Sequence, residues 1–192
     1  MSIFYNLKKA AGVVATDAVK AVIGGGADKE ETQTFSFAAL PENLEELKAL
    51  PEAALTSPFQ AAALTVCALC AYAASPEMGI QMLNYLKGPQ PLSNHEKQLL
   101  KNRFASGKHI PFSYFKGASA ENDYTPSRPF TVAVSKNPYT YEEEGYAKLF
   151  IPSGGADWPR PLILRRKGEQ WFLWEQTLMT GIRMPKSRNS WA

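Results

Sequence analysis

The stretch that most limits what this chain can fold into is Pro58-Phe59-Gln60-Ala61-Ala62-Ala63-Leu64-Thr65-Val66-Cys67-Ala68-Leu69-Cys70-Ala71-Tyr72. Ser57 before Pro58 is a helix start: the serine caps free amides and the proline supplies a preset first turn. The helix that follows is apolar on nearly every side. At about 17 residues, with Gln60 and Thr65 inside it, it is too short and too interrupted for a membrane span, so it must lie at the centre of a fold and be covered on most sides.

The residues around it supply the cover. Before it, Thr32-Gln33-Thr34-Phe35-Ser36-Phe37 alternates and reads as a strand, and Leu44, Leu47 and Leu50 between Pro41 and Pro51 read as a short amphipathic helix over 41–50. After it, Ser75-Pro76-Glu77 repeats the start signal for a helix that ends at Lys87-Gly88-Pro89. Ser93 and Glu96 form a capping box for a further helix carrying Leu99, Leu100 and Phe104 and ending near Ser106-Gly107.

From residue 109 the pattern changes to short runs of β-branched and aromatic residues. Strands are predicted at 109–115, 130–134, 146–151, 162–166 and 171–174, and Arg166-Lys167-Gly168-Glu169 predicts a tight hairpin between the last two. Helices first and strands later specify an α+β fold, with N-terminal helices packed on a C-terminal antiparallel β-sheet.

The first 27 residues are set apart. At 100° per residue, Ile3, Phe4, Leu7, Ala11, Val14, Ala18, Ala21 and Val22 share one sector and Lys9 and Lys20 lie opposite, which predicts an amphipathic helix that stops at Gly24-Gly25-Gly26. The chain is therefore divided into an arm with a Gly-rich linker, 1–27, and a single α+β domain, 28–192. The arm's apolar run is too short for a secretion signal, so a cytoplasmic location is expected. Phe4, Leu7, Lys8, Lys9 and Val14 are the arm residues expected to meet a partner protein, a second copy or a membrane surface.

Several chemistries are disfavoured. With 192 residues, 2 Cys and 2 His, the chain is large enough for its own core and poor in metal ligands, so no metal and no cofactor are expected. Cys67 and Cys70 have C-x-x-C spacing but fall deep in the apolar helix, where burial favours the neutral thiol. Neither Ser153-Gly154-Gly155 nor the Gly24 triplet has a phosphate-binding context. A net charge of +3 is mild, and Glu142-Glu143-Glu144 dilutes the field of Lys148, Arg160, Arg165, Arg166 and Lys167, so nucleic acid is not an expected partner.

What stands out is aromatic content. The second half carries more Tyr, Phe and Trp than one sheet face can bury, so part of the set is expected at a surface. Tyr114, Tyr146, Trp171 and Trp174, with Asp157, Trp158 and Arg160 in a loop beside the final hairpin, are the candidate residues for a ligand or partner surface.

The segments Pro41-Glu42-Asn43-Leu44-Glu45-Glu46-Leu47, Thr56-Ser57-Pro58-Phe59-Gln60, Pro111-Phe112-Ser113-Tyr114-Phe115-Lys116-Gly117-Ala118, Asn137-Pro138-Tyr139 and Gln170-Trp171-Phe172-Leu173-Trp174-Glu175 together resemble a family of bacterial proteins of about 200 residues whose domain has no established function. The resemblance covers about residues 32–192 and implies an intracellular single-domain protein, with no catalytic residues to carry over. Two functional readings follow. One is a non-enzymatic binding or assembly module, with a protein partner or self-association and room for a small ligand. The other is a small enzyme of cystatin-like plan whose sheet pocket uses His109 or a carboxylate as base.

Overall fold

The structure, a computed structural model, describes residues 31–190. The arm and its residues Phe4, Leu7, Lys8, Lys9 and Val14 lie outside the described residues. The elements run β1 (Glu31–Phe37), α1 (Leu44–Lys48), α2 (Pro58–Ala74), α3 (Pro76–Lys87), α4 (Asn94–Gly107), β2 (Phe130–Lys136), β3 (Tyr146–Ile151), β4 (Arg160–Lys167) and β5 (Gln170–Gln176).

The five strands form one antiparallel sheet in the order β1-β2-β3-β4-β5. The helices precede most of the strands, as expected for α+β. β1 comes before them and returns to the sheet edge, pairing with β2 from Glu31 against Lys136 to Phe37 against Phe130. The four helices are thus an insertion between two neighbouring strands.

Period-two alternation decides which sheet face they cover. Phe35, Phe37, Val132, Val134, Ala147, Leu149, Ile151, Leu162, Leu164 and Leu173 are buried on one face, and α2 packs against β2 to β5 there. α2 is buried along nearly its whole length, with Leu64, Val66, Cys67 and Leu69 at 0% exposure. Each such leucine contributes about 2 kcal/mol, which makes this helix the centre of the fold.

The start signals work as read. Ser57 Oγ accepts from the Phe59 amide while Gln60 Oε1 accepts from the Ser57 amide; Ser93 Oγ accepts from the Glu96 amide while Glu96 Oε2 accepts from the Ser93 amide. The helix predicted over 41–50 is shorter than expected. Asn43 caps it by accepting from Glu46 N, so Leu44 is its first residue, and Pro51–Ala54 forms a separate 3-10 turn.

The strand predicted at 109–115 is corrected. Ile110–Tyr114 is a 3-10 turn in which Ile110, Pro111, Ser113 and Tyr114 are buried, a spacing no alternating strand gives. Pro111 has no amide to donate to a ladder, and Ser113 Oγ instead closes the turn on the Ile110 carbonyl at 2.6 Å. Within this segment only Phe115 pairs with the sheet, in a single bridge to Val132.

The last hairpin has a two-residue loop, since Lys167 pairs with Gln170. Gly168 takes φ +60° at its first position, where a residue with a Cβ is strained.

Candidate binding site

β5 departs from regularity at one point. Ile163 faces Glu175 while Leu164 faces Leu173, so Trp174 is an extra residue, a β-bulge. A bulge re-aims its side chain, and here the Trp174 ring meets two neighbours on the solvent side of the sheet. The Arg165 guanidinium lies 4.7 Å from the Trp174 ring centre and 5.4 Å from that of Tyr146, and the two rings stand 6.0 Å apart, edge to face.

The bulge carbonyl is met from the helical layer. Lys87, the last residue of α3, is only 8% exposed along its side chain; its Nζ donates to Glu96 Oε1 at 2.7 Å and to the Trp174 carbonyl at 3.3 Å. Burial alone would raise the proton affinity of Glu96, but the hydrogen bonds from Lys87 and Ser93 outweigh it and hold the carboxyl below the usual glutamate range. Next to Lys87, Gly88 has φ +60° and lies so close to the Phe172 ring that a Cβ would overlap it. The end of α3 and the last hairpin are therefore locked together.

Two half-open clefts flank this junction, and Lys87, Leu173 and Trp174 line both. The first, about 350 Å³, runs between α3, α4 and β5 over Leu83, Leu92, Leu100 and Met179, with Leu99 at 46% exposure on its rim. The second, about 360 Å³, lies between the end of α3 and the hairpin and adds Arg165, Arg166, Lys167 and Phe172, with no carboxylate in its lining. Both volumes fall in the range of about 300–1,000 Å³ usual for ligand sites. One cleft is apolar and the next is cationic.

The residues expected at a surface are spread over four places. Tyr146 and Trp174 meet around Arg165. Trp171 is near Tyr141 instead, at 6.3 Å, and its amide is bonded to the Leu55 carbonyl. Asp157, Trp158 and Arg160 lie toward the opposite end of the sheet. There Asp157 Oδ1 accepts from Arg183 at 2.7 Å, which holds its carboxyl below the usual range, Arg160 binds the Thr180 and Gly181 carbonyls, and Trp158 is 77% exposed. Tyr114 corrects the expectation: it is 3% exposed, and its hydroxyl donates to the Leu178 carbonyl, because the 3-10 turn carries it inward.

The candidate acid/base groups do not converge. Glu142–Glu144 precede β3 and Asp157 follows it, separated by six strand residues, or about 20 Å at ~3.4 Å each. His109 is stacked on Tyr124 at 5.3 Å. Neither of its ring nitrogens has a partner of hydrogen-bond geometry. Burial, then the Arg188 charge, lowers its pKa against a pull from the Arg183 main chain. Cys67 and Cys70 are buried and free, with thiols pushed up by burial. Among the described residues no cluster of His, Cys, Asp and Glu could hold a metal ion. No helix among them is long and apolar enough to cross a membrane.

Sequence reasoning missed Lys87 and Arg165 as site residues. Lys87 reads as an ordinary cation in a helix's last turn, and its only signal is that Glu96, which caps the next helix, follows nine residues later. Arg165 was visible only as one of several cations among aromatics.

A family model, a domain of unknown function named DUF6935, matches residues 39–186. The chain belongs to the DUF6935 family. No curated protein and no solved structure matches it significantly. The DUF6935 match starts just after β1 and contains α3, α4, the bulge and both clefts.

Proposed function

We propose that this DUF6935 protein is a non-enzymatic binding module, and that it engages an extended segment of a partner protein across the two clefts beside β5. One observation carries the reading: the bulged Trp174 forms a common wall of an apolar and a cationic cleft, and its ring is steadied by Arg165 and Tyr146. A wide aromatic wall with little rotamer freedom is what interface hot spots are built from. The half-open form of both clefts suits a chain segment lying along them better than a small molecule that must be enclosed.

The arm is proposed as a second attachment, with Phe4, Leu7, Lys8, Lys9 and Val14 facing a protein or membrane surface, and the protein as cytoplasmic. Light scattering and liposome co-sedimentation of the full chain beside a version lacking residues 1–27 test the arm.

The cleft reading is tested by selecting random displayed peptides on the full chain, then counter-selecting on Trp174→Ser. Peptides that bind the native protein and lose at least tenfold in affinity on the variant support it. If every selected peptide binds both equally, the clefts are not the site.

A further inference from the structure

We infer that Arg165 is the anchor for a carboxylate of the bound partner segment, so that the segment carries an acidic residue next to apolar ones. This rests on the reading of the clefts just given and adds the chemistry of the occupant.

The case begins with what Arg165 does not do for the fold. Two of its cationic neighbours have oxygen partners: Lys87 has Glu96 and the Trp174 carbonyl, and Arg166 Nε donates to the Gly168 carbonyl. The Arg165 side chain has no hydrogen bond and no ion pair among the described residues; its guanidinium lies over the rings of Tyr146 and Trp174. It is exposed, on the solvent side of β4, and it lines the cationic cleft.

A guanidinium has five N–H donors in a fixed plane, all directed outward along its edge. The two rings stand at 76° to each other and flank the guanidinium from two directions, which restricts its movement while none of its N–H groups is given to an oxygen of the fold. A donor fork held in this way and left without an acceptor matches the two oxygens of a carboxylate.

The number of charges favours a single carboxylate over a polyanion. Lys87 is already neutralised by Glu96. Arg166 also borders the groove that holds Glu143 and Glu144, and Glu175 lines the neighbouring apolar cleft. These acids interrupt the positive surface on both sides, so a row of phosphates would meet repulsion within a few residues. A single acidic side chain at Arg165 leaves its apolar neighbours free to lie over Leu99 and Leu100 in the adjoining cleft. Charge complementarity thus chooses a peptide that is acidic at one position and apolar at the next.

The test uses the peptides selected on the full chain, labelled with fluorescein and followed by polarisation, with Arg165→Gln, Arg165→Lys and Trp174→Ser variants. The expected result is enrichment of Asp or Glu beside Leu, Ile or Phe. Affinity falls at least tenfold on Arg165→Gln and equally when the peptide's acid is replaced by its amide, and Arg165→Lys falls between. Circular dichroism unchanged from the native protein, and a urea transition that keeps each variant fully folded under the assay conditions, show that the loss is not of fold.

If the peptides need Trp174 but lack an acid, or bind Arg165→Gln as well as the native chain, the inference is overturned and the cleft reading stands. If no peptide depends on Trp174, both fall. If a twelve-residue oligouridylate displaces the peptides at equal concentration, the anion recognised is a phosphate, and the inference is overturned in favour of nucleic acid.

Discussion

Arg160 and Arg165 stand near opposite ends of β4, on one strand and five positions apart, and the structure uses them in contrary ways. Arg160 gives its donors to the fold: Nε to the Thr180 carbonyl and Nη2 to the Gly181 carbonyl, tying the segment after β5 onto the sheet. Arg165 gives the fold only the attraction of two aromatic rings. Identical side chains on one strand thus divide into one whose hydrogen-bonding capacity is taken up internally and one whose capacity is left at a cleft. What separates them is the chain that arrives beside each. Next to Arg160 comes a segment without secondary structure whose carbonyls need donors, and next to Arg165 comes a bulge that delivers a ring.

The contrast predicts opposite phenotypes, and Arg160 carries the larger effect on stability. Arg160→Leu removes the donors to both carbonyls and loosens the segment that also holds Leu178 and Met179 in the core. The expected loss is about 3 kcal/mol, two charge-assisted hydrogen bonds' worth, read as a lower urea midpoint with an unchanged m-value. Faster hydrogen exchange should be confined first to residues 178–188. Equal destabilisation by the matching Arg165 variant would abolish the contrast.

Lys87 tests the junction behind Arg165. Lys87→Met removes the counter-charge of Glu96 and the donor to the bulge carbonyl, at an expected cost of about 2 kcal/mol near neutral pH, since Glu96 keeps its Ser93 hydrogen bonds and is partly solvated. Because Glu96 is held below its unfolded pKa, its contribution is complete above about pH 4.3 and is lost as pH falls through the lower folded value. The native protein should therefore weaken in acid below that pH, and the variant should show a shallower slope over the same range, by urea unfolding at each pH.

At Arg160's end, His109 gives a milder pH effect. Its folded pKa is lowered, first by burial and then by Arg188, so the unfolded chain takes up its proton first as pH falls below about 6.5. Stability is full above that value and declines toward the depressed folded pKa. His109→Phe, which keeps a ring against Tyr124, should flatten the unfolding midpoint between about pH 7 and 5. A slope that persists in the variant would place the titrating group elsewhere.

The two ends were not equally legible in the sequence. Ser57, Pro58, Ser75, Ser93 and Glu96 announce their helices because a cap acts within three residues, and the alternation in β2 to β4 announces a buried face. The 3-10 turn at Ile110–Tyr114 was missed because aromatic and β-branched content resembles a strand until the buried spacing is known; Tyr114 went inward for the same reason. Tyr146 and Trp174 were recognised as surface candidates, but their meeting around Arg165 depends on an extra residue in β5, which no local pattern reveals. Lys87 depends on a carboxylate from the next helix and a carbonyl from a strand 87 residues later. Such long-range bonds are decided by packing and leave no trace in periodicity.

The smallest expected effect on stability is the one that completes the comparison. Arg165→Ala removes an exposed cation from two ring faces, an interaction of about 0.5–1 kcal/mol at a solvated site, and strands no polar group because Arg165 bonds none. The urea midpoint should move by no more than about a third of the Arg160→Leu shift. Trp174 emission should nonetheless redden and become more accessible to acrylamide, measured in a background where Trp158, Trp171 and Trp191 are replaced by Phe, since the cation no longer covers its ring. A large loss of stability would mean that Arg165 holds the bulge in place and that the cleft is a by-product of packing. A small loss with a freed Trp174 ring would mean that the fold stands without Arg165, and that this arginine's donors are available for a ligand.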